Sequence, residues 1–328
     1  MASKVIATND AVTKKLFGEQ IWRESLIKPF FASLKGDANS VVETKRNLQA
    51  SKGDSIKFAY LNKLVGGAKI NEQALLGNEM SISDKTMDVG LELVKGAVRY
   101  DSDMSVQRAM YDLPSEAKTA IMNWSMETED DRAFDAIFDG HTNNYWTGTA
   151  TSSATVANKL TLLDLEKLSV VASTGNGRQF NPLRKVSIDG GLYYIFLCHP
   201  NVLFDLTSTD TTWQSAVKEA RERGESNPVF KTAEAVWRGI IVMSNERCPI
   251  YSNWSAGGNA YGAESMLLGA QSLFLAVGKN SEVVVLDHGY EEERGVAVKS
   301  FYKYTKPKFG SYVEGSIQVN SLVTNVTL

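Results

Sequence analysis

The spacing of apolar and polar positions divides the chain into stretches of different period. Between residues 112 and 138, Leu113, Ala117, Ala120, Ile121, Trp124, Phe134, Ile137 and Phe138 recur at helical spacing, with Pro114 in the first turn and Gly140 just past the end. That pattern predicts one long helix with an apolar face. At about 1.5 Å per residue it spans roughly 40 Å. Leu162, Leu165 and Leu168 predict a second helix over 162–172. A third amphipathic pattern, Trp213, Ala216, Val217 and Ala220, carries opposite charges four residues apart, Lys218 with Glu222 and Glu219 with Arg223, and stops at Gly224 ahead of Pro228.

Elsewhere the period is two. Ile56, Phe58 and Tyr60 alternate with Ser55, Lys57 and Ala59 after a turn at Lys52-Gly53-Asp54, and Met87, Val89, Leu91 and Leu93 alternate with Asp88, Gly90, Glu92 and Val94. The residues between show no clear period, so the segment reads as a long hairpin with an irregular tip. A two-stranded ribbon is marginally stable alone and leaves open edges, so it must lie on another surface, which hints at assembly. Strand-like runs follow at 192–198, 239–243, 273–277 and 282–286, then at Val296, Val298, Phe301 and Tyr302, and at Tyr312, Val313, Ile317 and Val319. The expected class is α+β. Ahead of all this, Phe17, Ile21, Trp22 and Leu26 form a loose helical stripe that Pro29 ends, followed by Phe30, Phe31 and a polar stretch to residue 50. The stripe needs something to pack on, either this chain's own core or a neighbouring subunit.

Composition narrows the function classes. A chain of 328 residues buries a sizeable core. A net charge of −3 lacks the basic footprint of a protein that reads DNA sequence, although a container for DNA is compatible with it. The longest apolar stretch, 266–277, is interrupted by Gly269, Gln271 and Ser272 and falls short of a bilayer span. Residues 1–12 have no apolar core of the kind a secretion signal carries, so a soluble protein made in a cytoplasm is expected. There, Cys198 and Cys248 read as buried thiols before they read as a disulfide or metal site.

Candidate chemistry is sparse. His141, His199 and His288 are far apart and lack ligand neighbours at useful spacing, and His199 ahead of Pro200 reads as a turn residue. Gly175-Asn176-Gly177 fails the dinucleotide fingerprint because Phe180 stands where the third glycine belongs. The acidic run Glu127, Glu129, Asp130 and Asp131 is a metal cage, an acid–base pair or a solvated face; the solvated face is favoured because no motif links it to a His or another carboxylate. Neither a nucleophile elbow, a Walker loop nor a His-Glu-x-x-His helix occurs. The expectation is a protein that is not an enzyme, with no catalytic residue, metal or cofactor.

A resemblance sharpens this. Residues 193–200 (Tyr-Tyr-Ile-Phe-Leu-Cys-His-Pro), 223–230 and 267–278, with Ser51 to Asp54, Leu75-Leu76-Gly77-Asn78-Glu79, Arg108 and Asp112-Leu113 before them and 239–242 among them, resemble the major capsid proteins of tailed double-stranded DNA bacteriophages, in the N-four-like family. The order and spacing of these segments carry the resemblance; no single one is diagnostic. It implies the α+β Hong Kong 97-type capsid fold, divided into an N-terminal arm over 1–50, an extended hairpin loop over 51–99 and a peripheral domain over 100–185 with its spine helix at 112–138. An axial domain over 186–286 follows, and C-terminal strands over 287–328 return to the peripheral domain.

The implied role is self-assembly into hexamers and pentamers of an icosahedral shell around the genome. Implied partners are portal, scaffolding and decoration proteins, and packaged double-stranded DNA contacted without sequence specificity; a membrane is not among them. The implied location is the virion capsid, assembled in the bacterial host cytoplasm. Candidate inter-subunit contacts are Trp22, Phe30 and Phe31 in the arm, Lys63, Lys69, Leu75 and Leu76 in the loop, and Lys218, Glu219, Glu222 and Arg223 on the axial helix. Some shells of this fold cross-link a loop lysine to a neighbour's asparagine, a linkage disfavoured for Lys63 and Lys69. The alternatives are an encapsulin-like nanocompartment shell of the same fold, or a soluble α+β enzyme or ligand-binding protein.

Overall fold

Strands buried on both faces account for the apolar runs that show no alternation. In the computed structural model, which describes residues 29–46, 55–61, 68, 76, 79–80, 84–101, 113–148, 152, 158–178, 180–188, 190–209, 234–254, 260–288, 293–309 and 312–326, the central one is Gly191–Cys198. It pairs in parallel with Ile240–Ser244 on one side and antiparallel with Ala260–Leu268 on the other. Ser316–Leu322 and Asn144–Trp146 extend the sheet beyond Ala260–Leu268, Ala235–Trp237 closes the opposite edge, and Val186–Ile188 and Ile250–Trp254 add short pairings, giving eight strands. Successive side chains of the central strand enter different cores: Tyr194, Phe196 and Cys198 go one way, Tyr193, Ile195 and Leu197 the other.

The first of these cores lies under two helices. We label α1 Leu113–Phe138, α2 Leu162–Arg178 and α3 Pro200–Thr209. Leu162, Leu165, Leu168 and Ala172 of α2 and Val202 and Leu206 of α3 pack on Tyr194, Phe196, Val242 and Leu267. Thr161 and Asp164 cap α2 reciprocally: the Asp164 N–H donates to Thr161 Oγ1 at 3.3 Å, and the Thr161 N–H donates to Asp164 Oδ2 at 3.2 Å. The helix runs six residues past the expected end at 172, through Gly175 and Asn176, both at positive φ. The third helix corrects the turn expected at His199-Pro200. His199 is its N-cap, accepting the Asn201 N–H on Nδ1 at 3.1 Å, and Pro200 occupies the first helical position.

The second core joins the sheet's other face to a five-stranded sheet and α1. That sheet runs in the order Lys35–Gly36, Val42–Lys45, Leu273–His288, Glu293–Thr305, Glu92–Asp101. Ala133, Phe134 and Ile137 of α1 meet Ile195, Leu197 and Met243 from the eight-stranded sheet and Leu273, Leu275, Tyr302 and Tyr304 from the five-stranded one. The other half of the helix places Ile121 on Val296 and Val298. The runs expected at 273–277 and 282–286 form one strand whose register shifts between Val277 and Glu282.

The chain crosses between the sheets at residues 269–272. Gly269 is required there, because a Cβ at that position would stand 2.5 Å from the Arg184 carbonyl oxygen. The change of sheet therefore precedes the boundary expected at 286. Likewise Ser316–Leu322 pairs with Ala260–Leu268 in the eight-stranded sheet, whereas Glu293–Thr305 lies in the other, so the C-terminal strands divide between the two. An apolar run reports burial on two faces but not which sheet supplies the neighbours.

The ribbon is the antiparallel pair Ser55–Leu61 and Asp84–Gly90, with Phe58 opposite Met87 and Ile56 opposite Val89. The alternation read from Met87 to Leu93 is continuous in sequence but breaks at Leu91. Glu92–Asp101 leaves the ribbon to pair with Glu293–Thr305. Leu91 lies against Gly278, where a Cβ would come within 2.4 Å of its Cδ1.

Candidate assembly site

The described chain begins at Pro29 and is anchored at once. Phe31–Leu34 form a 3-10 turn with Phe31 and Leu34 buried. The Phe30 and Phe31 N–H groups have no partner in that turn; they donate to Asp130 of α1, to Oδ2 and Oδ1 respectively, each at 3.1 Å. Arg247 adds a third bond, its Nη1 at 2.7 Å from Asp130 Oδ2, while its Nε lies 2.6 Å from Asp131 Oδ1. One residue back, Glu129 takes Lys35 Nζ at 2.6 Å and the Tyr304 hydroxyl at 2.9 Å. The favoured reading of the acidic run as a solvated face fails at Asp130, which is 3% exposed. Two N–H donors and a guanidinium offset the cost of burying its charge. The signal was present in the sequence: Asp130 stands four and seven residues before Phe134 and Ile137, on the apolar face of the helix.

Of the candidate arm contacts, Phe31 is 1% exposed, and its ring stands edge-on to Phe134 with centroids 5.1 Å apart. That side chain belongs to this chain's own core and leaves no surface for a neighbour. Phe30 is half-buried on the same cluster.

The described strands of the ribbon are held through Phe58 and Tyr60. Phe58 stacks on Phe274 with centroids 4.2 Å apart, Tyr60 stacks on Phe309 at 5.0 Å, and Lys45 Nζ sits 4.4 Å over the Phe58 ring. Asn181 Nδ2 reaches both the Tyr60 hydroxyl and Glu314 Oε1 at 2.9 Å. Burial raises the pKa values of Tyr60 and Glu314, each opposed in part by the Asn181 bond. Among the described residues past Tyr60, Leu61 is 69% exposed, Leu76 88% and Met80 49%. Trp22, Lys63, Lys69, Leu75, Lys218, Glu219, Glu222 and Arg223, with the helix expected from Trp213, lie outside the described residues.

A cleft of about 900 Å³ opens between the end of α1 and the eight-stranded sheet, lined by Phe138, Asp139, His141, Arg247, Glu264 and Gln318 among others. It exists because that sheet face changes character along Ala260–Leu268. Leu268 and Met266 point into the core, whereas Glu264, two residues on, does not, and Gln318 lies opposite Met266 on the neighbouring strand. His141 Nε2–H donates to the Ile137 carbonyl at the helix end. Burial and nearby Lys306 lower its pKa from 6.5 to about 4, so the ring is neutral at pH 7. Burial also raises the Glu264 pKa, opposed by bonds from Tyr251 and Gln318. Arg132 and Lys303 both pair with Glu92, tying α1 to the five-stranded sheet. Both cysteines are free and buried, and burial pushes their thiol pKa values up. Among the described residues there is no cluster of ligands suited to a metal ion, and no helix is long and apolar enough to cross a membrane.

A long helix laid across a long-stranded sheet, a second sheet covered by helices and a separate two-stranded ribbon define a Hong Kong 97-type capsid fold. The comparisons agree. The phage capsid protein family matches residues 7–158 and 136–295, and the chain belongs to that family. Its fold is similar to the capsid of Ralstonia phage GP4, at 21% identity over 100% of both chains with a TM-score of 0.86. The cyanophage Pam1 capsid shares 18% identity over 98% of this chain and 99% of that one, with a TM-score of 0.78. The acid-stable capsid of Helicobacter pylori bacteriophage KHP30 shares 14% over 96% of each, with a TM-score of 0.76. No curated protein sequence matches the chain. The protein is a major capsid protein that forms a phage shell.

Proposed function

We propose that the chain builds a closed icosahedral shell of hexamers and pentamers around the double-stranded DNA of a tailed phage, in the cytoplasm of its bacterial host. The observation that carries the reading is the ribbon. Its root is packed on its own sheet by Phe58 and Phe274, while Leu61, Leu76 and Met80 further out are exposed. A ribbon this bare is stabilised when a neighbouring subunit covers it. Closed symmetry then lets each subunit make several such contacts at once, so the shell is far more stable than any one interface.

In this reading Trp22 and Phe30 of the arm, Lys63, Lys69, Leu75 and Leu76 of the loop, and Lys218, Glu219, Glu222 and Arg223 meet neighbouring copies. The protein acts by association and not by catalysis. Portal, scaffolding and decoration proteins are the further partners, and the net charge of −3 suits a container that does not pin its DNA. The test is to purify the chain expressed alone, with and without residues 62–80, and examine both by negative-stain microscopy. The full chain is expected to give shells or capsomers, and the deletion a folded subunit that closes none. Normal particles from the deletion would sink the role given to the loop.

A further inference from the structure

We propose that Asp130 is the positioning residue that sets where, and in which direction, the N-terminal arm leaves the subunit to meet a second copy of this chain. This rests on the reading of residues 1–28 as an inter-subunit arm. A carboxylate in the middle of a helix is not needed by the helix, whose backbone groups bond one another. Nor does a buried ion pair add much stability, since a well-packed apolar side chain of similar volume often serves as well. What Asp130 does that an apolar residue does not is bind two consecutive backbone N–H groups, one on each oxygen. Two bonds from adjacent residues to a planar carboxylate fix orientation as well as position.

The carboxylate is itself aimed from two sides. Arg247 spans Asp130 and Asp131, and Arg247 belongs to a turn whose Asn245 N–H is bound to the Cys198 carbonyl at the end of the central strand. Glu129, the preceding residue, is bound by Lys35 of the arm root and by Tyr304 of the five-stranded sheet. The root of the arm thus sits where α1, the eight-stranded sheet and the five-stranded sheet meet. The position and direction of the backbone at Pro29 and Phe30 follow from that junction.

The experiment uses the full-length chain with Asp130→Asn, Asp130→Leu, a deletion of residues 1–28 and the core variant Ile137→Val as a control for lost stability. Subunit unfolding is followed by denaturant titration, and shell yield and diameter by sedimentation and microscopy. Asp130→Asn and Asp130→Leu are expected to yield folded subunits whose closed shells fall at least tenfold in yield or scatter in diameter, while Ile137→Val shells stay uniform. Asp130→Asn keeps the volume and one acceptor, so it decides the point if Asp130→Leu does not fold. Uniform shells at normal yield from the Asp130 variants, with the deletion unable to assemble, would overturn the proposal and leave the arm's role standing. Uniform shells from the deletion would overturn both.

Discussion

The eight-stranded sheet buries its central strand on both faces, whereas the described strands of the ribbon, Ser55–Leu61 and Asp84–Gly90, bury one face and leave Lys57, Asp84 and Asp88 exposed on the other. In the sheet, Tyr194 and Phe196 meet helices on one side while Ile195 and Leu197 meet α1 and the second sheet on the other. In the ribbon, Ile56 and Phe58 are buried on the face packed against the five-stranded sheet, and Leu61, on the opposite face with Lys57, is exposed. The difference separates two uses of the hydrophobic effect: one stabilises the subunit, and the other, in the function proposed above, is left for partners.

The comparison breaks most severely at the sheet. Phe196→Ala removes a fully buried ring from between Val242 and Leu267, its register partners. A cost of about 3–5 kcal/mol is expected, a large share of the roughly 5–15 kcal/mol that stabilises a domain. Urea denaturation should show a sharply lowered midpoint or no soluble protein. Phe58→Ala is the matching change in the ribbon. It removes the ring stacked on Phe274, but the ribbon opens locally without unfolding the rest. The midpoint should fall by less than half as much as for Phe196→Ala, while shell formation is lost. Equal falls for the two variants would mean that the ribbon root belongs to the subunit's cooperative core.

Acid sharpens the contrast, because the strongly shifted histidine lies on the cleft beside the sheet, whereas Lys57, Asp84, Lys85 and Asp88 of the ribbon are exposed. With burial holding its pKa at about 4, folded His141 stays neutral to about that pH, whereas in the unfolded chain it takes up a proton near pH 6.5. Between those values the unfolded state binds more protons, so stability falls as the pH falls. At pH 5 the loss from this group is about 2 kcal/mol relative to pH 7. Glu264, whose pKa is raised, works in the opposite sense. The measurement is therefore the difference between wild type and His141→Gln. The variant should lose less stability between pH 7 and pH 5, and parallel slopes would contradict the buried neutral ring.

How much of this was legible in the sequence depends on whether period alone decides the element. The helix α1 was expected over 112–138 and spans Leu113–Phe138, because Ala117, Ile121, Phe134 and Ile137 keep one face over seven turns. The central strand was equally plain from its unbroken apolar run. The helix α3 was missed although Pro200 at its start and Val202 and Leu206 four apart were visible; the His-Pro pair reads as a turn until a ring nitrogen is seen to cap the helix. Sheet membership of Leu273–His288 was not legible at all, since the two buried faces of its first residues, 273–277, fit either sheet. For the arm, the aromatic pair splits. Phe31 is spent in its own core, and what holds it there is Asp130, which the sequence placed on a solvated face because no motif links the acidic run to a His or another carboxylate.

The smallest effect tests the ribbon's outer face. Lys57 and Asp88 stand opposite each other across the two strands, Nζ to Oδ1 at 3.6 Å, with both side chains more than half exposed. An exposed cross-strand pair contributes about 0.5 kcal/mol or less, because water screens the charges and ordering two side chains costs entropy. Lys57→Ala should therefore leave the denaturation midpoint within error and shells of normal yield. The inward residues Ile56 and Phe58 point to the opposite face from Lys57, so a ribbon that meets its neighbour only beyond Tyr60 does not register the change. Shell loss at unchanged subunit stability would instead bring the Lys57 face against another copy. The division between a root that serves the subunit and a tip that serves the shell would then run along the ribbon's two faces and not along its length.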